Sequence, residues 1–148
     1  MDTPPIAMRR PLPAFQVRDL TTLLTLPFVW RALAPERICD DLLEVVRSTF
    51  GADRARIVVE REGHERIERT RPAEQSPRGA CSLLVDREGV RLTFTCDAPR
   101  EGFPTPADRA LLGAALDQAW LSIRSADLLE SHRDARARAR RRAASGAS

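Results

Sequence analysis

Apolar residues change their spacing along the chain, and each change marks a boundary between helix and strand. From Arg18 to Leu33, Leu20, Leu23, Leu24, Phe28 and Leu33 recur at roughly helical intervals, and Pro27 is expected to kink or split that helix. Pro35 ends it and opens another, where Ile38, Leu42, Val45, Val46 and Phe50 form one stripe while Glu36, Asp40, Glu44 and Arg47 face water. Gly51 is placed to stop this second helix, because glycine accepts the left-handed conformation that closes many helices. The period then drops to two. Ala55 to Glu60 predicts a strand, and His64 to Thr70 a weaker one paired with it across Glu62-Gly63. Cys81 to Val85 and Val90 to Cys96 predict a second hairpin around Asp86-Arg87-Glu88-Gly89, with Gly89 able to take a positive φ. In the last strand Val90, Leu92, Phe94 and Cys96 point one way and Arg91, Thr93 and Thr95 the other, so one sheet face is apolar and the other polar.

The final helix carries three start signals: the hydroxyl of Thr105, Pro106 at the first helical position, and Asp108 in the first turn. Its stripe of Leu112, Ala115, Leu116, Ala119, Trp120 and Ile123 predicts a helix continuing to Glu130, about 39 Å at about 1.5 Å per residue and longer than the sheet it crosses. Its far end, Ser125 to Arg142, is expected to be free or paired with a partner. Helices before and after two hairpins suit an α+β fold, an antiparallel sheet with helices bundled on one face; a roadblock-type fold gives a similar pattern.

A chain of 148 residues with 43% hydrophobic content fits one domain with tails. Residues 1–17 read as a flexible proline-rich leader, 18–131 as the folded domain and 132–148 as an arginine-rich tail. Charge follows that division. Through His132, 18 Arg stand against 20 acidic residues, whereas Arg133 to Ser148 holds six Arg and one acid, Asp134. The folded part therefore lacks the basic face that phosphate binding requires, and only the tail has it.

Candidate chemistry is sparse. Cys39, Cys81 and Cys96 are widely spaced with no Cys-x-x-Cys pair, which points to a reducing compartment and to no zinc site; cysteines on strands are usually small buried apolar residues. His64 and His132 fall in charged stretches without an adjacent nucleophile. No catalytic, cofactor or metal residue is expected. The apolar run Leu20 to Trp30 follows Arg9, Arg10 and Arg18 like a signal peptide, but Asp19 and Arg31 bracket it and Pro27 interrupts it. No stretch reaches the roughly 20 apolar residues of a membrane span, and the chain reads as cytoplasmic.

Leu24-Thr25-Leu26-Pro27-Phe28-Val29-Trp30-Arg31 followed by Pro35-Glu36-Arg37-Ile38 resembles the opening of GAF domains of bacterial sensor kinases. Phe103-Pro104-Thr105, Asp108-Arg109, Leu111-Leu112, Asp117-Gln118-Ala119 and Ile123 resemble their last helix. The resemblance implies first and last helices packed beneath the sheet and commonly dimerising, with a small-molecule pocket on the opposite face. Arg71 to Gly79 is too short to roof that pocket, the Cys-His pair of tetrapyrrole-binding members is missing, and so is the Asn-Lys-Phe-Asp-Glu signature of cyclic-nucleotide binders.

The expected function is thus a non-catalytic regulatory module acting as a homodimer or docking an output protein such as a signalling kinase or transcription regulator. Its helix interface would use Leu20, Leu24, Phe28, Leu112, Leu116 and Ile123, an apolar helical stripe whose default role is the domain's own core, and the two roles can coexist. Because a GAF domain usually precedes an output domain and this chain ends in small residues, it is expected to act in trans or to be a fragment. Two alternatives remain open. One is a nucleic-acid-associated adaptor gripping phosphate non-specifically through Arg136, Arg138, Arg140, Arg141 and Arg142; the other is a small-molecule sensor.

Overall fold

The computed structural model describes residues 24–73 and 75–146. Residues 24–29 are helical through Pro27, and Leu26 and Trp30 turn into the core. Leu20 and the proline-rich leader lie outside the described residues. Pro35–Phe50 forms helix α1. No side chain caps its start; Pro35, which has no amide hydrogen to satisfy, takes the first turn. Gly51 closes it at φ 68°, its amide donating to the Arg47 carbonyl.

Four strands follow: β1 (Arg54–Arg61), β2 (Ile67–Arg71), β3 (Gly79–Arg87) and β4 (Val90–Ala98). They form one antiparallel sheet in the order β2-β1-β4-β3. The β3–β4 turn is tighter than its sequence suggests. Arg87 already pairs with Val90, which leaves only Glu88 and Gly89 to reverse the chain, and both take positive φ, 49° and 78°. That conformation matches the twist of the flanking strands.

The register places Ala55, Cys96 and Cys81 in one row of the core face, Ile57, Phe94 and Leu83 in the next, and Val59, Leu92 and Val85 in the third. β2 starts at Ile67 rather than His64, and its core-face positions are Ile67, Arg69 and Arg71. Both arginines lie at the sheet edge and reach the acids of α1, Arg69 to Asp40 and Arg71 to Glu44. Arginine can occupy such positions because its aliphatic stem covers apolar surface while its guanidinium stays at the rim.

Pro106–Gly146 forms α2, a single helix of 41 residues. Thr105 and Asp108 cap it reciprocally: the Asp108 amide donates to Thr105 Oγ1 at 3.0 Å, and the Thr105 amide donates to Asp108 Oδ2 at 2.9 Å. α1 packs on β1 and β2, α2 on β3 and β4, and the two helices pack against each other. The core lies between this helical layer and one sheet face, and Leu26, Trp30, Leu116, Ile123, Ile57 and Phe94 belong to it. Full burial of such side chains stabilises by about 1.5–3 kcal/mol each. The indole of Trp120 donates to the Val90 carbonyl, and Trp30 donates to Asp41, so both tryptophans are buried with their polar atoms satisfied. The fold is α+β, a four-stranded antiparallel sheet with helices on one face and a long C-terminal helix.

Candidate interaction surface

This arrangement leaves two surfaces: the sheet face turned away from the helices, and the outer side of the helices. The sheet face is polar and its charges are matched across strands, Arg56 with Glu68, Arg54 with Asp97 and Arg91 with Asp86. Residues 72 to 78 join β2 to β3, and no helix or strand crosses that face among the described residues. A shallow concavity of about 380 Å³ lies against Arg54, Arg56, Thr70, Pro72, Thr95 and Asp97. Its arginines already hold carboxylates, so they offer little to an anionic ligand.

The cysteines are core residues. Cys81 and Cys96 are register partners on the core face and Cys39 lies on α1 in the helical layer; all three are buried. Burial pushes the Cys39 and Cys96 thiols up to about 12 and raises Cys81 as well. A thiol held neutral in this way is a poor nucleophile and a poor metal ligand.

The donor atoms of His64, Asp127 and Glu130 lie within 4.8 Å of one another. Asp127 Oδ1, however, accepts a hydrogen bond from Arg61 Nη1, and His64 Nε2 lies 3.7 Å from the same oxygen. A guanidinium on the central carboxylate competes directly with a cation. The group acts instead as an ionic clasp, tying β1 to α2 near the last point where the helix touches the sheet. The side chains of Arg61 and Asp127 are 6% and 12% exposed, which makes this the most enclosed ion pair among the described residues.

Most of the large apolar side chains exposed to water lie on the outer side of the helices; on the sheet face Leu84, 62% exposed, is the one such residue among those described. Leu24 and Phe28 are each 75% exposed, with Val29 beside them; on α2, Leu121, Leu128 and Leu129 are about half exposed. The residues expected at a helix interface therefore separate into two groups. Leu24 and Phe28 are available to a partner. Leu112, Leu116 and Ile123 are not: they lie in the core with at most 2% of their surface exposed, because they are the positions of α2 that face the sheet.

A second stripe, which sequence reasoning missed, lies on the exposed side of the same helix. Leu121, Ser125, Leu128, His132, Ala135 and Ala139 alternate four and three residues apart, which lines them along one side of α2, and none carries a fixed charge. The spacing was present in the sequence, but the stronger core stripe beside it masked it.

Beyond Ile123 no residue of α2 is buried. From Arg124 to Gly146 the helix extends about 35 Å. The tail is thus a continuation of α2, at least to Gly146, and Arg136, Arg138, Arg140, Arg141 and Arg142 are all exposed on it. These arginines make no ion pair among the described residues; the last cation along the chain to do so is Arg124, with Glu88. Comparison with protein-family models, with curated proteins and with solved structures gives no match.

Proposed function

We propose that this chain is a non-catalytic regulatory module of the GAF type, cytoplasmic, that works by helix-mediated association of two copies through the outer side of α2. The observation that carries the reading is the exposure of Leu121 and Leu128 on a charge-free stripe of a helix that outruns its own domain. The length of stripe that meets the second copy, Leu121 to His132, is about 17 Å, three turns of helix, and ends before the arginine-rich segment. A solitary helical arm of this length gains nothing from tertiary packing, which is where most helical stability in proteins comes from.

The GAF reading is supported by the order of elements, by helices gathered on one face, and by the sequence stretches Leu24 to Ile38 and Phe103 to Ile123. The unroofed, ion-paired sheet face favours a module that transmits through its helices over one that encloses a small molecule. In this account a signal reaches an output protein, such as a kinase or transcription regulator, as a shift in helix packing.

Light scattering tests the association. Wild-type protein is expected to give twice the monomer mass at micromolar concentration, and Leu128→Arg to give a folded monomer. A wild-type monomer at every accessible concentration would contradict the proposal. Salt gives a second handle. Each arm carries six arginines against Asp134 beyond His132, so screening is expected to tighten the pair.

A further inference from the structure

We infer that the distal part of α2, from Arg133 to Arg142, is a binding site for the phosphate backbone of duplex DNA, entered through the major groove and read without sequence preference. The inference stands on the tail alone and holds whether or not two copies associate.

Four observations carry it. First, Arg133, Arg136, Arg138, Arg140, Arg141 and Arg142 are exposed, lack carboxylate partners among the described residues, and are accompanied by a single acid, Asp134. Arg136 with Arg140 and Arg138 with Arg142 stand four residues apart, so like charges already repel along the helix and a polyanion relieves them. Second, the segment is already helical and stands clear of the domain. A helix about 10–12 Å across matches a major groove about 12 Å wide.

Third, at 100° per residue the arginines spread around much of the helix rather than along one face: Arg133, Arg136 and Arg140 on one side, Arg138, Arg141 and Arg142 on another. A groove has phosphates on both walls and suits that distribution. A lipid surface does not, since it needs bulky apolar residues opposite the cations, and the uncharged stripe here is Ala135, Ala139 and Ala143. Fourth, Arg133 to Gly146 contains no aromatic residue on which unpaired bases could stack, which disfavours single strands. The remainder of the chain, with 18 Arg against 20 acids through His132, is repelled by phosphate and stays outside the duplex.

The test is fluorescence anisotropy of a labelled DNA duplex of about 20 base pairs titrated with the full chain between roughly 50 and 200 mM salt. Wild-type protein is expected to bind with a dissociation constant on the order of 1–100 µM, and log K to fall with log salt at a slope of about −4 to −5 as about five phosphates are neutralised. Replacing Arg136, Arg138, Arg140, Arg141 and Arg142 by Gln keeps helix-forming side chains and touches no core residue. It is expected to lower affinity at least about 100-fold while leaving the thermal midpoint of the domain unchanged.

Arg54→Gln with Arg91→Gln, on the sheet face, is the matched control and is expected to leave binding intact. Binding that survives the five tail substitutions, or that falls equally with the sheet-face pair, would overturn the inference. So would equal affinity for an RNA duplex, whose deep narrow major groove excludes a helix, or for phosphatidylserine vesicles or polyglutamate.

Discussion

Gly79 opens β3 where the backbone of Phe103 passes it, and a β-carbon there would lie 1.9 Å from the Phe103 carbonyl oxygen. Backbone, unlike a flexible side chain, cannot swing aside. Gly79→Ala is therefore expected to destabilise the domain by at least about 1–3 kcal/mol, the cost of overpacking, measured by urea denaturation. Buried thiols give a second test at this scale. Because burial holds Cys39 and Cys96 near 12 in the folded protein against an ordinary 9.0, the folded state keeps its protons where the unfolded state loses them. Their contribution to stability is present below pH 9 and lost as the pH rises from there toward 12. Iodoacetamide at neutral pH is expected to label them only as fast as the protein unfolds; rapid labelling of native protein would contradict their burial.

At the level of elements, the start of α2 rests on the reciprocal cap of Thr105 and Asp108, and Thr105→Ala is expected to lower stability by about 1 kcal/mol in thermal or chemical melts. This cap was legible in the sequence because hydroxyl, proline and acid fall at fixed offsets. The same holds for α1, bounded by Pro35 and Gly51, and for the two faces of β4, where Val90 to Cys96 alternate without a break. β2 was less legible: two of its three core-face positions are arginine, so no period-two signal survives, and its assignment depends on Asp40 and Glu44 in α1, distant in sequence. The outer stripe of α2 was hidden for the opposite reason. Two stripes share one helix, and hydrophobicity alone selected Leu112, Leu116 and Ile123, which the sheet consumes. The clasp of Arg61 with Asp127, 66 residues apart, had no local signal at all.

Across the whole molecule, α2 has a proximal length that completes the core, a middle proposed to meet a second copy, and a distal length that carries charge. The division has separable consequences. Leu116→Arg, which places a charge in the core, is expected to unfold the domain, whereas Leu128→Arg is expected to leave the circular dichroism spectrum native and abolish association. Salt is expected to act in opposite directions on the two outer segments, tightening the helix pair and releasing DNA. A spin label at Ser125 of the full chain reads the pairing of α2, because Ser125 lies on the stripe between Leu121 and Leu128. Helices packed through that stripe have axes about 8–10 Å apart, so strong dipolar coupling between labels on two copies is expected, and is expected to be lost in Leu128→Arg. A spectrum without coupling in the wild-type protein would show that α2 does not join two copies through this stripe.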